Sequence, residues 1–127
     1  TLTSRKHHSG TKSSKCGQGA EYSITFESLI DSLNEFSKEV SIDFYLFQET
    51  LVHNAKLVIE VSGERMEFNW HGKAITELSQ VTNEWTKVNY TYLLPKNYFS
   101  GQKIKIYLYN VSNIPLYMDD VNIEFKE

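Results

Sequence analysis

LYMDDVNIEFKE, residues 116–127, closes the chain, and its reading governs the rest. Apolar and polar residues alternate through it as in a half-buried β-strand. Yet Asp119 and Asp120 stand side by side in its middle, and aspartate is depleted in strands. Successive side chains of a strand point to opposite faces. Asp119 is in phase with Tyr117, Val121, Ile123 and Phe125, so it is expected on the inward face or at its rim. Asp120 is in phase with Asn122 and Glu124 and is expected in solvent. A carboxylate beside an apolar layer needs hydrogen bonds, an ion pair or a metal.

The same alternation recurs upstream. KIKIYLYN (103–110) sets Ile104, Ile106 and Leu108 against Lys103, Lys105, Tyr107 and Tyr109. EWTKVNYTYLLP (84–95) aligns Val88, Tyr90, Tyr92 and Leu94 and stops at Pro95. ERMEFNW (64–70) aligns Met66, Phe68 and Trp70, and VSGERM (61–66) reads as a hairpin turn at Ser62 and Gly63. AKLVIEV (55–61) groups Ala55, Leu57, Ile59 and Val61. VSIDFYLF (40–47) groups Val40, Ile42, Phe44 and Leu46, and EYSITF (21–26) groups Tyr22, Ile24 and Phe26. Seven strands with turn signals between them predict an all-β sandwich or barrel. ESLIDSLNEF (27–36) spaces Leu29, Leu33 and Phe36 at helical intervals. It is short for a stable helix and reads as a loop capping one end of the sandwich. Residues 1–127 are expected to form one domain, with 1–15 as an extended N-terminal segment.

Composition narrows the functional classes. The net charge of −3 gives no electrostatic case for a nucleic-acid partner. Arg5, Lys6, Lys12 and Lys15 lie in an acid-free stretch without interleaved aromatics, which reads as a solvated terminus. A single cysteine, Cys16, rules out an internal disulfide. No apolar run is long enough for a transmembrane segment, and no signal peptide is visible. The chain begins without methionine, which reads as a mature or excised form. His7, His8, His53 and His71 lack metal-ligand spacing. No nucleophile elbow, P-loop or dinucleotide fingerprint is present, and no residue stands out as nucleophile or general acid, so an enzyme is not expected. Asn89 in NYT and Asn110 in NVS fit the glycosylation sequon.

The succession EWTKVNYTYLLP, KIKIYLYN and LYMDDVNIEF resembles the C-terminal half of jelly-roll carbohydrate-binding modules with the galactose-binding-like fold. Tyr117, Met118, Asp119, Asp120 and Val121 match that family's closing tyrosine-x-aspartate-aspartate-valine strand. Ser9, Gly10 and Ser13 resemble its early Ser-Gly-x-x-Ser segment, and Trp85 its strand-initiating tryptophan, a packing residue. The resemblance implies a jelly-roll β-sandwich of two antiparallel sheets. It implies a non-catalytic carbohydrate-binding module of a secreted or cell-surface protein, extracellular, periplasmic or on the cell surface, and joined to other domains of a larger protein. It also implies a structural calcium held by Asp119 or Asp120 and by main-chain oxygens around Ser9 to Lys12. The family's first strand, with its acid, has no counterpart before Ser9. Backbone amides, or a base near the N-terminus, would satisfy Asp119 instead; either way it is expected to fix the segment around Ser9 to Lys12.

A glycan offers apolar C–H faces ringed by hydroxyls. A flat aromatic covers the face while nearby polar groups bind the hydroxyls. Tyr45 and Phe47 share the outward phase of their strand with Ser41 and Asp43, and Tyr107 and Tyr109 share theirs with Lys103 and Lys105. Trp70 either points inward with Met66 and Phe68 or sits at a loop rim before His71 and Gly72. Tyr45, Phe47, Trp70, Tyr107 and Tyr109 are the candidate glycan-binding residues. The competing expectation is a structural or protein-interaction β-sandwich without a sugar site. Exposure of those five rings discriminates the two.

Overall fold

The computed structural model describes residues 2–3, 8–10, 13–19, 21–23, 25–29, 39–62, 68–94 and 102–126. They form nine strands: β1 (Leu2–Thr3), β2 (Ser13–Cys16), β3 (Phe26–Leu29), β4 (Glu39–Gln48), β5 (Ala55–Ser62), β6 (Phe68–Ala74), β7 (Thr86–Leu93), β8 (Lys103–Asn110) and β9 (Leu116–Lys126). A single helical turn, α1 (Ile75–Leu78), follows β6. One sheet has the order β1-β2-β9-β4-β7 and the other β3-β8-β5-β6. Every pairing is antiparallel. This is the expected jelly-roll β-sandwich. No helix among the described residues is long and apolar enough to cross a membrane.

The core lies between the sheets and follows the alternation read from the sequence. Val40, Ile42, Phe44 and Leu46 of β4 meet Leu57, Ile59 and Val61 of β5 and Ile104, Ile106 and Leu108 of β8, all buried. Each such side chain contributes about 1.5–3 kcal/mol relative to exposure. At the open side between β6 and β7, His71 stacks on Tyr92 at 4.6 Å and its Nε2 lies 2.6 Å from the Tyr90 hydroxyl.

The closing strand departs from its expected phase. Its register on β4 passes from Asp43↔Asn122 to Tyr45↔Asp119, so Phe44 faces two residues, Asp120 and Val121. Asp120 takes φ +52°, a left-handed conformation that aspartate tolerates better than most residues. Such a bulge adds one residue and inverts the alternation. Leu116 and Met118 therefore face the core before it, and Ile123 and Phe125 face the core after it. Tyr117 and Asp119 point to the outer face, and Val121 is 46% exposed rather than inward.

Other expectations shift by smaller amounts. Tyr22 was expected inward with Phe26, but it is 51% exposed. Ser23 turns inward instead, because its backbone N–H donates to the Leu108 carbonyl and its hydroxyl accepts the Leu108 N–H. Strand β6 continues through HGKA to Ala74, which places Trp70 opposite Glu60 on the outer face. The edge expected to lack a first strand carries the two-residue β1, paired to β2. Of ESLIDSLNEF, residues 27–29 belong to β3, while Leu33 and Phe36 lie outside the described residues, as do Ile24, Gly63 and Met66. Of the two sequon asparagines, Asn110 is fully buried and Asn89 is exposed.

Candidate functional site

The five candidate rings do not form one surface. Tyr45 and Phe47 belong to β4 in the five-stranded sheet; Trp70 is on β6, and Tyr107 and Tyr109 are on β8, in the four-stranded sheet. The two groups lie on opposite outer faces.

On the five-stranded sheet the rings are already occupied by the chain itself. Phe47 packs on Tyr117 and on Trp85, with centroids 6.2 and 5.6 Å apart, and both Phe47 and Tyr117 are buried. His8 stacks on Tyr45 at 3.6 Å with 12° between the planes, and meets Trp85 edge-on. The two aspartates hold it there. Asp119 Oδ2 accepts the backbone N–H groups of His8 (2.8 Å) and Ser9 (3.0 Å), and its Oδ1 accepts the N–H of Asp120 (2.9 Å). Asp120 takes the Ser9 hydroxyl and the His8 ring, with Nδ1 2.5 Å from Oδ2. Asp119 thus fixes the N-terminal segment at His8 and Ser9; of the expected span Ser9 to Lys12, Thr11 and Lys12 lie outside the described residues. Asp120 takes part in the clamp instead of standing free in solvent.

This arrangement fits a calcium ion poorly. Calcium needs 6–8 oxygen ligands. Both oxygens of Asp119 face N–H groups, whose positive ends would point at a cation. Among the described residues, no three His, Cys, Asp or Glu side chains converge as a metal site requires. We expect a chelator to leave the melting temperature unchanged. Asp119→Ala, which orphans three N–H groups, is expected to destabilise by about 2 kcal/mol, read by urea unfolding. A chelator-induced drop in wild type that is absent in Asp119→Asn would instead establish the metal.

The Ser9 hydroxyl, and then the His8 ring, hold the Asp120 carboxyl below its usual range. A depressed folded-state value stabilises above the unfolded value, and that contribution is lost as pH falls through the folded one. Asp120→Asn tolerates the same left-handed backbone. Its melting temperature is expected below wild type at neutral pH, with the difference shrinking as pH falls below the ordinary carboxylate range.

The outer face of the four-stranded sheet is built differently. Cross-strand register sets three rows: Ala74, Lys56 and Tyr109; Gly72, Val58 and Tyr107; Trp70, Glu60 and Lys105. Trp70 is 42% exposed. Its six-membered ring reaches over Gly72: a Cβ there would lie 2.5 Å from Cη2 and 2.8 Å from Cζ3. Val58, on the same face, is fully buried. The Lys56 ammonium sits 5.3 Å from the indole centroid. The Tyr107 hydroxyl donates to Glu60 Oε1 at 3.1 Å. Burial first, and that carboxylate second, push the phenol up to about 12. Tyr22 leans on Tyr107 and Tyr109 at 5.5 and 5.3 Å. The result is an exposed indole laid along the sheet, bordered by an ammonium, a carboxylate and tyrosine rings.

Gly72 therefore decides where the indole rests. In Gly72→Ala the ring must lift, because the 2.5 Å contact is far inside any real Cβ distance. We expect a red-shifted tryptophan emission with the fold retained by circular dichroism; an unchanged emission maximum would show that the ring does not rely on Gly72.

Lys56, Val58 and Glu60 were legible as the outward phase of AKLVIEV but carried no motif. Gly72 two residues after Trp70, hence on the same strand face, was the available signal for a ring laid flat. Tyr22 had no such signal, because the Ser23 pairing that turns it outward is a long-range contact.

No protein-family description matches the chain, and no curated protein does. Solved structures do. The CBM22-2 xylan-binding domain of Paenibacillus barcinonensis Xyn10C superposes with a TM-score of 0.68 at 16% identity, over 98% of this chain and 85% of that one. The family 16 carbohydrate-binding module-2 gives 0.60 at 11% identity, over 97% and 83%. The CBM22-1–GH10 modules of Clostridium thermocellum Xyn10B, complexed with xylohexaose, give 0.65 at 20% identity, over 100% of this chain and 24% of that one. The fold is that of carbohydrate-binding modules. At these identities the likeness establishes the jelly roll and no more.

Proposed function

We propose that the protein is a non-catalytic glycan-binding module, and that the outer face of the four-stranded sheet is its binding face. The observation that carries this is Trp70, a large aromatic ring held over Gly72 with much of its surface in solvent. Stacking a pyranose there covers roughly 80–100 Å² of apolar surface, which at about 25 cal/mol/Å² is worth about 2 kcal/mol. Lys56, over the indole, and Glu60, the cross-strand neighbour of Trp70, offer a donor and an acceptor to hydroxyls of a stacked sugar. The face supplies recognition without a paired nucleophile and acid. The fold's similarity to xylan-binding and other carbohydrate-binding modules supports the same reading. We place the protein outside the cytoplasm, where polymeric glycans are met, and as one part of a larger protein, as the module is in the Clostridium thermocellum structure. The exposed indole favours this reading over a structural sandwich without a sugar site.

Affinity electrophoresis through gels containing xylan, mixed-linkage glucan, mannan and pectin tests it directly. Retardation by at least one polymer is expected, with a change in tryptophan emission that disappears in Trp70→Phe and persists in Trp85→Phe. Uniform absence of retardation by folded protein would overturn the proposal.

A further inference from the structure

The binding face carries a charge balance opposite to that of the whole chain. Its outward residues include Lys56, Lys103 and Lys105 against Glu27 and Glu60. The opposite sheet reverses this, with five carboxylates (Glu39, Asp43, Asp119, Asp120 and Glu124) against three lysines. Among the described strand residues, lysines thus outnumber carboxylates on the outer face that holds Trp70, and carboxylates outnumber lysines on the other.

The charges on that face are not all free. Lys103 pairs with Glu27 at 3.4 Å, and Glu60 is engaged by the Tyr107 hydroxyl at 3.1 Å. Among the described residues, Lys56 and Lys105 have no carboxylate partner. Lys56 is exposed, and its ammonium stands 5.3 Å from the Trp70 centroid. Lys105 stands in the row that holds Trp70 and Glu60. Lys105 lies two strands from Trp70, in register with Glu27 and Glu60, so Lys56 is the cation that stands at the exposed indole.

From this we infer that the face selects glycans bearing carboxylates, that is, chains containing uronic acid units. The inference rests on the glycan-binding reading of the same face. When a pyranose stacks on an indole, its C5 substituent lies at the ring's edge. In a neutral hexose that substituent is a hydroxymethyl group; in a uronic acid it is a carboxylate. At Trp70 the Lys56 ammonium stands over the ring, 5.3 Å from its centroid, within reach of that substituent. An ammonium gives any hydroxyl a hydrogen bond, but only a carboxylate also neutralises its charge. A partly exposed ion pair of this kind is worth up to about a five-fold gain in affinity. Screening by salt removes that gain and spares the apolar stacking.

Matched pairs of chains isolate the charge. Homogalacturonan with free carboxylates is compared with the same polymer methyl-esterified, and a xylo-oligosaccharide carrying one glucuronic acid with the unsubstituted one, by titration calorimetry. The charged member of at least one pair is expected to bind about five-fold more tightly at low salt, and the ratio to fall toward one at about 0.5 M salt. Lys56→Gln is expected to collapse the ratio, and Lys87→Gln, the same charge change on the opposite sheet, to leave it. Equal affinity within both pairs, with binding present, overturns the charge inference and leaves the glycan reading intact. A preference that survives Lys56→Gln overturns the role given to Lys56. No binding to any chain by folded protein overturns the glycan reading itself.

Discussion

Trp70→Ala is expected to lower glycan affinity by about thirty-fold, while the protein remains folded. The magnitude follows from stacking worth about 2 kcal/mol, since each 1.4 kcal/mol is a factor of ten. Tryptophan anchors at the centre of a binding surface commonly reach this size on truncation. The ring is 42% exposed and lies outside the inter-sheet core, so its removal does not open a cavity among Val40, Ile42, Phe44 and their partners. Its packing over Gly72 is lost, and a stability loss of about 1 kcal/mol is expected. Calorimetric titration with the best-binding polymer, paired with urea unfolding, separates the two effects. Affinity unchanged within two-fold in Trp70→Ala would remove Trp70 from the site and with it the assignment of the face.

The two outer faces illustrate how the same residue types take different roles. Tyr45 has the neighbours expected of a sugar platform, with Lys87 on one side and Asp119 on the other. Its face is nevertheless taken by the His8 imidazole at stacking distance. The clamp from Asp119 and Asp120 holds that ring in place, so His8 acts as a built-in cover for Tyr45 on the five-stranded sheet. Among the described residues no segment is stacked over Trp70 in this way, and the exposed indole is found on that sheet.

Most of the sandwich could be read from alternation, because a half-buried strand imposes period two on its residues. Strands β4, β5, β7 and β8 have the inward sets expected of them. The errors cluster where one residue interrupts the period. The bulge at Asp120 inverts β9 within a run that still alternates in sequence, so the adjacent aspartates were its only trace. The inward turn at Ser23 depends on Leu108, which lies far away in the chain. Trp70 is ambiguous in the sequence because nothing in HGKA marks it as strand; pairing with β5 carries β6 on to Ala74. The tie between Asp119 and the N-terminal segment was legible because a carboxylate on a strand needs a partner. Backbone amides were one of the expected partners; which amides serve was not legible, since their direction depends on the path of the chain around His8.

A buried corner far from the ring sets the second large effect: Asn110→Asp is expected to destabilise the protein by about 3–4 kcal/mol at neutral pH. Asn110 is fully buried at the end of β8. Its Nδ2 donates to the carbonyls of Cys16 (3.2 Å) and Ile114 (2.8 Å). Its Oδ1 accepts the Ser112 N–H at 3.0 Å and the Ser112 hydroxyl at 2.7 Å. One side chain thereby joins β2, the end of β8 and the connection to β9. Gly17, at φ +99°, leaves the room: a Cβ there would lie 2.5 Å from Nδ2 and 2.8 Å from the Ile114 oxygen. Replacing Nδ2 by oxygen sets a carboxylate against two carbonyls in a fully buried place. Asn110→Ala loses the same bonds but buries no charge, and about 2 kcal/mol is expected. The pH dependence separates the two variants. Burial raises the folded-state value of the introduced carboxyl above its unfolded value near 3.9. Its penalty is therefore full above that raised value and shrinks as pH falls toward the unfolded one. Urea unfolding at pH 7 and near pH 4.5 should show the deficit of Asn110→Asp relative to wild type narrowing, while that of Asn110→Ala stays constant. A deficit for Asn110→Asp that is small at pH 7, or that does not narrow on acidification, would show that the corner is open to water.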